Sequence, residues 1–172
     1  MDSPTNKMVR ICVLAVLGVV LNLIEPPMPA PVPGIKLGLA NLMSVIGLYS
    51  LGTYSAIWIT ILRTITVNLF LGFDLRGFLS LGGGVVSALI MEAVYYFYKR
   101  ETGIVAVSML GGLMHNFTQW LMVLILLQQP YLVVYLPFLL LSGGVAGVFV
   151  GTTGVYTLRR LGGFISGKDT QP

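Results

Sequence analysis

Long apolar runs dominate the chain, and short clusters of proline, glycine and charge separate them. A helix needs about 20 mainly apolar residues to cross a bilayer, so reading the runs between breakers predicts six helices. The first covers about residues 8–24, and a proline-rich stretch separates it from a short second helix at about 37–51. Gly52 marks the next turn, and a third helix follows at about 54–70. The hydrophilic patch 72–77 ends it, and a fourth helix covers about 78–98, stopped by Lys99, Arg100 and Glu101. A fifth runs over about 103–127 until Gln128, Gln129 and Pro130 break it. The sixth starts near Tyr135 and reaches about Leu158, with Pro137 suited to a first helical turn.

The stretch from Glu25 to Asn41 stands apart from this pattern. Five of the nine prolines lie between Pro26 and Pro33. Such a segment holds no helical hydrogen-bond ladder and runs extended. Glu25 and Lys36, two of very few charges, bracket it. A stiff loop carrying a carboxylate and an ammonium suits the lid or wall of a binding site. It equally suits a turn that fixes the angle between two helices.

Composition turns the apolar pattern into a compartment. With 56% hydrophobic residues, 9% charged and a mean hydropathy of +0.90, the chain lies far outside soluble usage, where about a quarter of residues are charged. An integral membrane protein is expected. Its 172 residues hold about six spans and little else, which implies one all-α transmembrane domain over 1–172 with a proline-rich extracellular loop at 25–36. The 21 glycines suit closely packed helices rather than a β-barrel. The lone Cys12 offers neither a disulfide framework nor a metal site. No small-residue cleavage site precedes the proline loop, so the first run reads as a retained helix. With six spans, Lys7, Arg10, Lys99, Arg100, Arg159, Arg160 and Lys168 fall on one side, against Lys36 and Arg76 on the other. The positive-inside rule then places both termini in the cytoplasm and the proline loop outside.

Small residues at four-residue spacing mark helix contacts: Gly143, Gly147 and Gly151 on the sixth helix, and Ser80, Gly84 and Ala88 on the fourth, beside Gly83 and Ser87. Polar groups inside spans are costly and need an internal partner, a wet cavity or a ligand. Arg63 lies in the middle of the third run, sharing a face with Thr60, Thr64 and Val67, with Asn68 one turn further out. It either anchors an anion or pairs with an internal carboxylate. Glu92, near the cytoplasmic end of the fourth helix, either pairs internally or reaches water there. His115 and Gln119 share a face of the fifth helix beside Asn116, and Gly111 and Gly112 leave space one turn earlier. That cluster suits either hydrogen-bonded packing or a polar pocket.

Missing features narrow the chemistry. There is no Gly-rich loop with Lys-Ser or Lys-Thr to hold nucleotide phosphates. The aspartates are only Asp2, Asp74 and Asp169, so the clustered carboxylates that bind magnesium diphosphate are not there. No spacing suggests a nucleophilic triad or a metal site. Catalysis by this chain alone is not expected, and no cofactor or metal is.

Several of these segments together resemble one family. They are Glu25-Pro-Pro-Met-Pro, Pro33-Gly-Ile-Lys-Leu-Gly-Leu-Ala-Asn41, the Arg63 region, Ser80-Leu-Gly-Gly-Gly-Val-Val-Ser87, His115-Asn-Phe-Thr-Gln119 and Tyr135-Leu-Pro-Phe-Leu-Leu-Leu-Ser-Gly-Gly144. In order and over nearly the whole chain they resemble the Gx transporter family, also labelled heptaprenyl diphosphate synthase component I. Thr118 departs from the glycine usual there. That family is similar to the substrate-binding S components of energy-coupling-factor (ECF) transporters, small bacterial six-helix proteins of the cell membrane. The resemblance implies capture of a micronutrient from outside under the first extracellular loop. It also implies partnership with a membrane coupling subunit and a pair of ATPases, and release by toppling of the bundle. S components often dock the coupling subunit through small residues of the first helix; Cys12, Ala15 and Gly18 are the candidates here.

Two functions follow. In the first, a substrate-binding membrane subunit of an ECF-type importer holds a small molecule among Glu25, Lys36, Asn41, Arg63, His115, Asn116 and Gln119. Lys36 and Arg63 favour a substrate with a carboxylate or phosphate, a small anionic micronutrient or an isoprenoid- or quinone-related compound. In the second, the chain is a membrane accessory subunit of heptaprenyl diphosphate or menaquinone biosynthesis, presenting a lipid intermediate to a soluble enzyme.

Overall fold

The structure is a computed structural model that describes residues 4–25, 38–98 and 102–166, without the side chains of 161–166. These residues form six α-helices: α1 Pro4–Ile24, α2 Leu39–Leu51, α3 Ser55–Leu71, α4 Leu75–Phe97, α5 Ile104–Leu127 and α6 Leu136–Ser166. A 3-10 turn at Pro130–Tyr135 leads into α6. The proline-rich stretch 26–37, including Lys36, lies outside the described residues, as do Lys99, Arg100 and Glu101.

The helix ends fall at the breakers for local reasons. Gly52 takes a left-handed φ of 83° after donating to Leu48 O at 3.1 Å, which closes α2. Asp74 caps α4 by accepting from Gly77 N at 2.8 Å, so α4 begins three residues before the expected Phe78. Pro130 opens the 3-10 turn at its first position, and α6 then runs unbroken through Pro137, which its first turn tolerates.

Among the described residues, α1, α4, α5 and the run Pro130–Arg160 are long and apolar enough to cross a membrane. The six expected helices are all present, and two of them are shorter than the other four. The 13 residues of α2 rise only about 20 Å, short of a hydrocarbon core of about 30 Å. The 17 residues of α3 lie at the lower end of what a span needs. The difference is explained by where α2 sits. It packs against α1, α3 and α6 and touches α4 and α5, and residues 42–48 are all buried. Leu48, Val45 and Ile46 join Ile59 of α3, Val107 of α5 and Val150 of α6 in the core. Around it run α1, α3, α4, α5 and α6, each packed on the next.

The outward faces are apolar, the inverse of a soluble protein. Val13, Val16, Val20 and Ile24 of α1, Leu69 and Phe70 of α3, and Leu141 and Val145 of α6 are all exposed. With the four spanning helices, this makes the chain an integral membrane protein.

Glu92 does not reach water. It is 4% exposed and accepts from Tyr54 N at 2.8 Å and Ile57 N at 3.1 Å. Tyr54 sits at a left-handed φ of 69°, unfavourable for a tyrosine, and the carboxylate holds it there. Lys7 of α1 completes the latch by donating to Thr53 O at 3.3 Å. Glu92→Ala removes the acceptor and leaves orphan N–H groups at the start of α3, a cost of about 1–3 kcal/mol. A lower thermal unfolding midpoint for Glu92→Ala in detergent, with a smaller drop for Glu92→Gln, is the expected result.

Candidate functional site

A cavity of about 1120 Å³ opens where α1, α3 and α5 end and α2, α4 and α6 begin. That is the end that carries the proline stretch. Its lining extends inward to Ser87, Met91, Ser108 and Val150. Six of the residues expected at a binding site, Glu25, Asn41, Arg63, His115, Asn116 and Gln119, line it together. Lys36 lies outside the described residues.

Arg63 is 3% exposed. Its side chain runs across the start of α2 because α1 offers a glycine there: a Cβ on Gly18 would meet Arg63 Cδ at 2.7 Å. Nη2 donates to Asn41 Oδ1 at 2.9 Å, while Nε is buried without a partner. The Glu25 carboxylate acts on the guanidinium through space. Glu25 itself is 5% exposed and caps α2, accepting from Gly38 N at 2.7 Å and Leu39 N at 3.1 Å. It therefore holds the helix that presents Asn41 to Arg63, with its lone pairs already engaged by backbone.

On the opposite wall, α4 turns its glycines to its neighbours. A Cβ on Gly84 would meet Thr60 Cγ2 at 2.8 Å and lie 4.0 Å from Arg63 Nη2. One on Gly83 would meet Gln119 Cγ at 2.9 Å and His115 Cε1 at 3.3 Å. The guanidinium and the imidazole thus flank adjacent glycines. His115 hydrogen-bonds to the backbone of Gly83, and its Nδ1 is buried without a partner.

Asn116 serves the scaffold more than the cavity. Its Nδ2 donates to Leu139 O at 2.8 Å and Ser142 Oγ at 3.1 Å, tying α5 to α6. Trp120 Nε1 donates to Leu132 O at 2.9 Å and fastens the 3-10 turn over the cavity mouth, where Tyr131 and Tyr135 join the lining. Those aromatics are missed by a reading that treats Gln128-Gln129-Pro130 only as a breaker. Asn68 is missed as a site residue too. It is 4% exposed, lines the cavity and has an unpartnered Nδ2. Its place on the Arg63 side of α3 was the available signal.

The docking face expected from Cys12, Ala15 and Gly18 is corrected. Ala15 and Gly18 are buried within the bundle, and only Cys12 is exposed. The small residues of α1 admit α2 and the Arg63 side chain instead of a partner.

Among the described residues, no group of three His, Cys, Asp or Glu could hold a metal ion. The cavity offers an apolar body with a few convergent polar atoms, the usual character of a small-molecule site. Unsatisfied polar atoms inside it are expensive unless something completes them.

A family model described as heptaprenyl diphosphate synthase component I matches residues 14–157. Among solved structures, the S component of a bacterial ECF transporter has the same fold, with a TM-score of 0.76 over 95% of this chain and 99% of the other at 17% identity. Comparison with curated proteins gave no match.

Proposed function

The chain belongs to the heptaprenyl diphosphate synthase component I family, and from its fold and cavity we propose that it is the substrate-binding, non-catalytic membrane subunit of an ECF-type importer. The observation that carries this reading is the cavity itself, with a buried arginine whose Nε is unsatisfied. A desolvated guanidinium with free donors favours a small anionic compound, a micronutrient or an isoprenoid- or quinone-related acid. The protein sits in the bacterial cell membrane as one domain over 1–172, with both termini cytoplasmic and the cavity open to the outside. A membrane coupling subunit and two ATPases supply the energy. With Ala15 and Gly18 turned inward, the outer face of α1 around Cys12, Val13 and Val16 is the part of that helix left for the coupling subunit.

The family's description favours a second reading, a membrane accessory subunit of heptaprenyl diphosphate or menaquinone biosynthesis. One experiment separates the two. The chain is expressed with an ECF coupling subunit and its ATPases, and separately with a soluble prenyl diphosphate synthase; co-purification and chain elongation are measured. A stable complex with the transport subunits and no effect on elongation is expected. Elongation that depends on this chain would overturn the transport reading.

A further inference from the structure

Three buried polar atoms on residues that line the cavity are left unsatisfied, Arg63 Nε, Asn68 Nδ2 and His115 Nδ1, and they differ in kind. Arg63 Nε and Asn68 Nδ2 are donors, although the Asn68 amide also carries an acceptor, Oδ1. The third is fixed by its ring. Nδ1 has no partner, so the nitrogen that bonds to Gly83 is Nε2. Within α4 the Gly83 N–H belongs to the helical ladder, so the contact is to the carbonyl, which only accepts. Nε2 therefore carries the proton. A second cation beside Arg63 in a desolvated wall would be strongly repelled, so the ring is neutral and Nδ1 presents a lone pair.

The unsatisfied atoms thus divide into two donors on α3 and one acceptor on α5. Gly83 and Gly84 lie between them and bring no side chain. A Cβ on Gly84 would lie 4.0 Å from Arg63 Nη2 and one on Gly83 would lie 3.3 Å from His115 Cε1, so the two groups border neighbouring positions of α4.

Building on the substrate-capture reading, we propose that the substrate is bifunctional: an acceptor group, a carboxylate or its equivalent, seated on Arg63 and Asn68, and an N–H or O–H donor given to His115 Nδ1. Such a molecule satisfies all three atoms at once. A fully ionised prenyl diphosphate brings acceptors only and leaves Nδ1 unpaired. The chemistry selects a hydroxy or amino acid-like compound, or a heterocycle with an N–H, over a lipid diphosphate.

His115 is the only histidine in the chain, so protein labelled with [15N]histidine reports on this one ring. The probe is the small-molecule extract of wild-type protein purified from cells that express it, re-added to stripped protein. Readouts are the two ring nitrogen resonances and the adduct in native mass spectrometry. Expected are an unprotonated Nδ1 in stripped protein, a shift of that resonance on loading, and adduct retention about tenfold weaker in His115→Phe. His115→Asn, which keeps an acceptor near Nδ1, is expected to recover part of it. An adduct that binds wild type and His115→Phe equally, or that leaves Nδ1 unmoved, overturns the proposal while substrate capture stands. The absence of any adduct overturns both.

Discussion

Arg63→Ala is expected to weaken retention of the bound small molecule about a hundredfold without preventing folding. Hydrogen bonds to a charged group contribute about 1.5–3 kcal/mol each, and each 1.4 kcal/mol is a factor of ten. Losing Nε together with one further donor therefore brings two orders of magnitude. The fold survives because Glu25 remains bonded to Gly38 N and Leu39 N, so α2 keeps its cap when the guanidinium is gone. Arg63→Lys sharpens the test. It keeps the charge but loses the planar fork and the Nε donor, so its retention should fall between wild type and Arg63→Ala. Titration of the re-added extract against each variant by native mass spectrometry gives the ratios. Retention unchanged in Arg63→Ala would place the ligand elsewhere.

The second large effect is on assembly of the bundle. Along the α5–α6 contact, backbone meets backbone: a Cβ on Gly143 would lie 2.5 Å from Gly112 O, and one on Gly147 would lie 2.6 Å from Met109 Cα. Neither neighbour is a flexible side-chain end, so the helices themselves must part. Gly143→Val is expected to cost about 3 kcal/mol or more, at the upper end of overpacking, and to lower the thermal midpoint by about 10 °C. Because Asn116 Nδ2 lies 2.9 Å from the same built Cβ, the α5–α6 tie at Leu139 fails with it. Gly144 is the control one residue away. There a Cβ meets only Leu113 Cδ2 and Cγ, at 3.5 and 4.0 Å, so Gly144→Val should unfold within a few degrees of wild type. Equal midpoints for the two variants would contradict the close approach.

The helices were legible because their ends are local events. Gly52 and Pro130 stop elements through their own backbone chemistry, and apolar runs between them need no tertiary information. Arg63 and His115 were legible for a related reason: a charge or an imidazole within an apolar run has few places to go. What the sequence hid are the long-range partners. Glu25 reaches 13 and 14 residues forward to cap α2, and Glu92 reaches back 35 and 38 residues to cap α3. Helical periodicity extends over one element and is silent on such pairs. The same limit misdirected Ala15 and Gly18, since small residues on a helix signal a close neighbour without saying whether it is α2 or another protein. Asn116 and Asn68 look alike as span asparagines; only the fold reveals that one is spent on Leu139 and Ser142 and the other is unpaired.

The most direct measurement is native mass spectrometry of the wild-type protein, purified gently from cells that express it. The account predicts a discrete polar adduct, one per chain, small enough for a cavity of about 1120 Å³. A chain that arrives empty, or one that carries an isoprenoid with a soluble synthase attached, would contradict it.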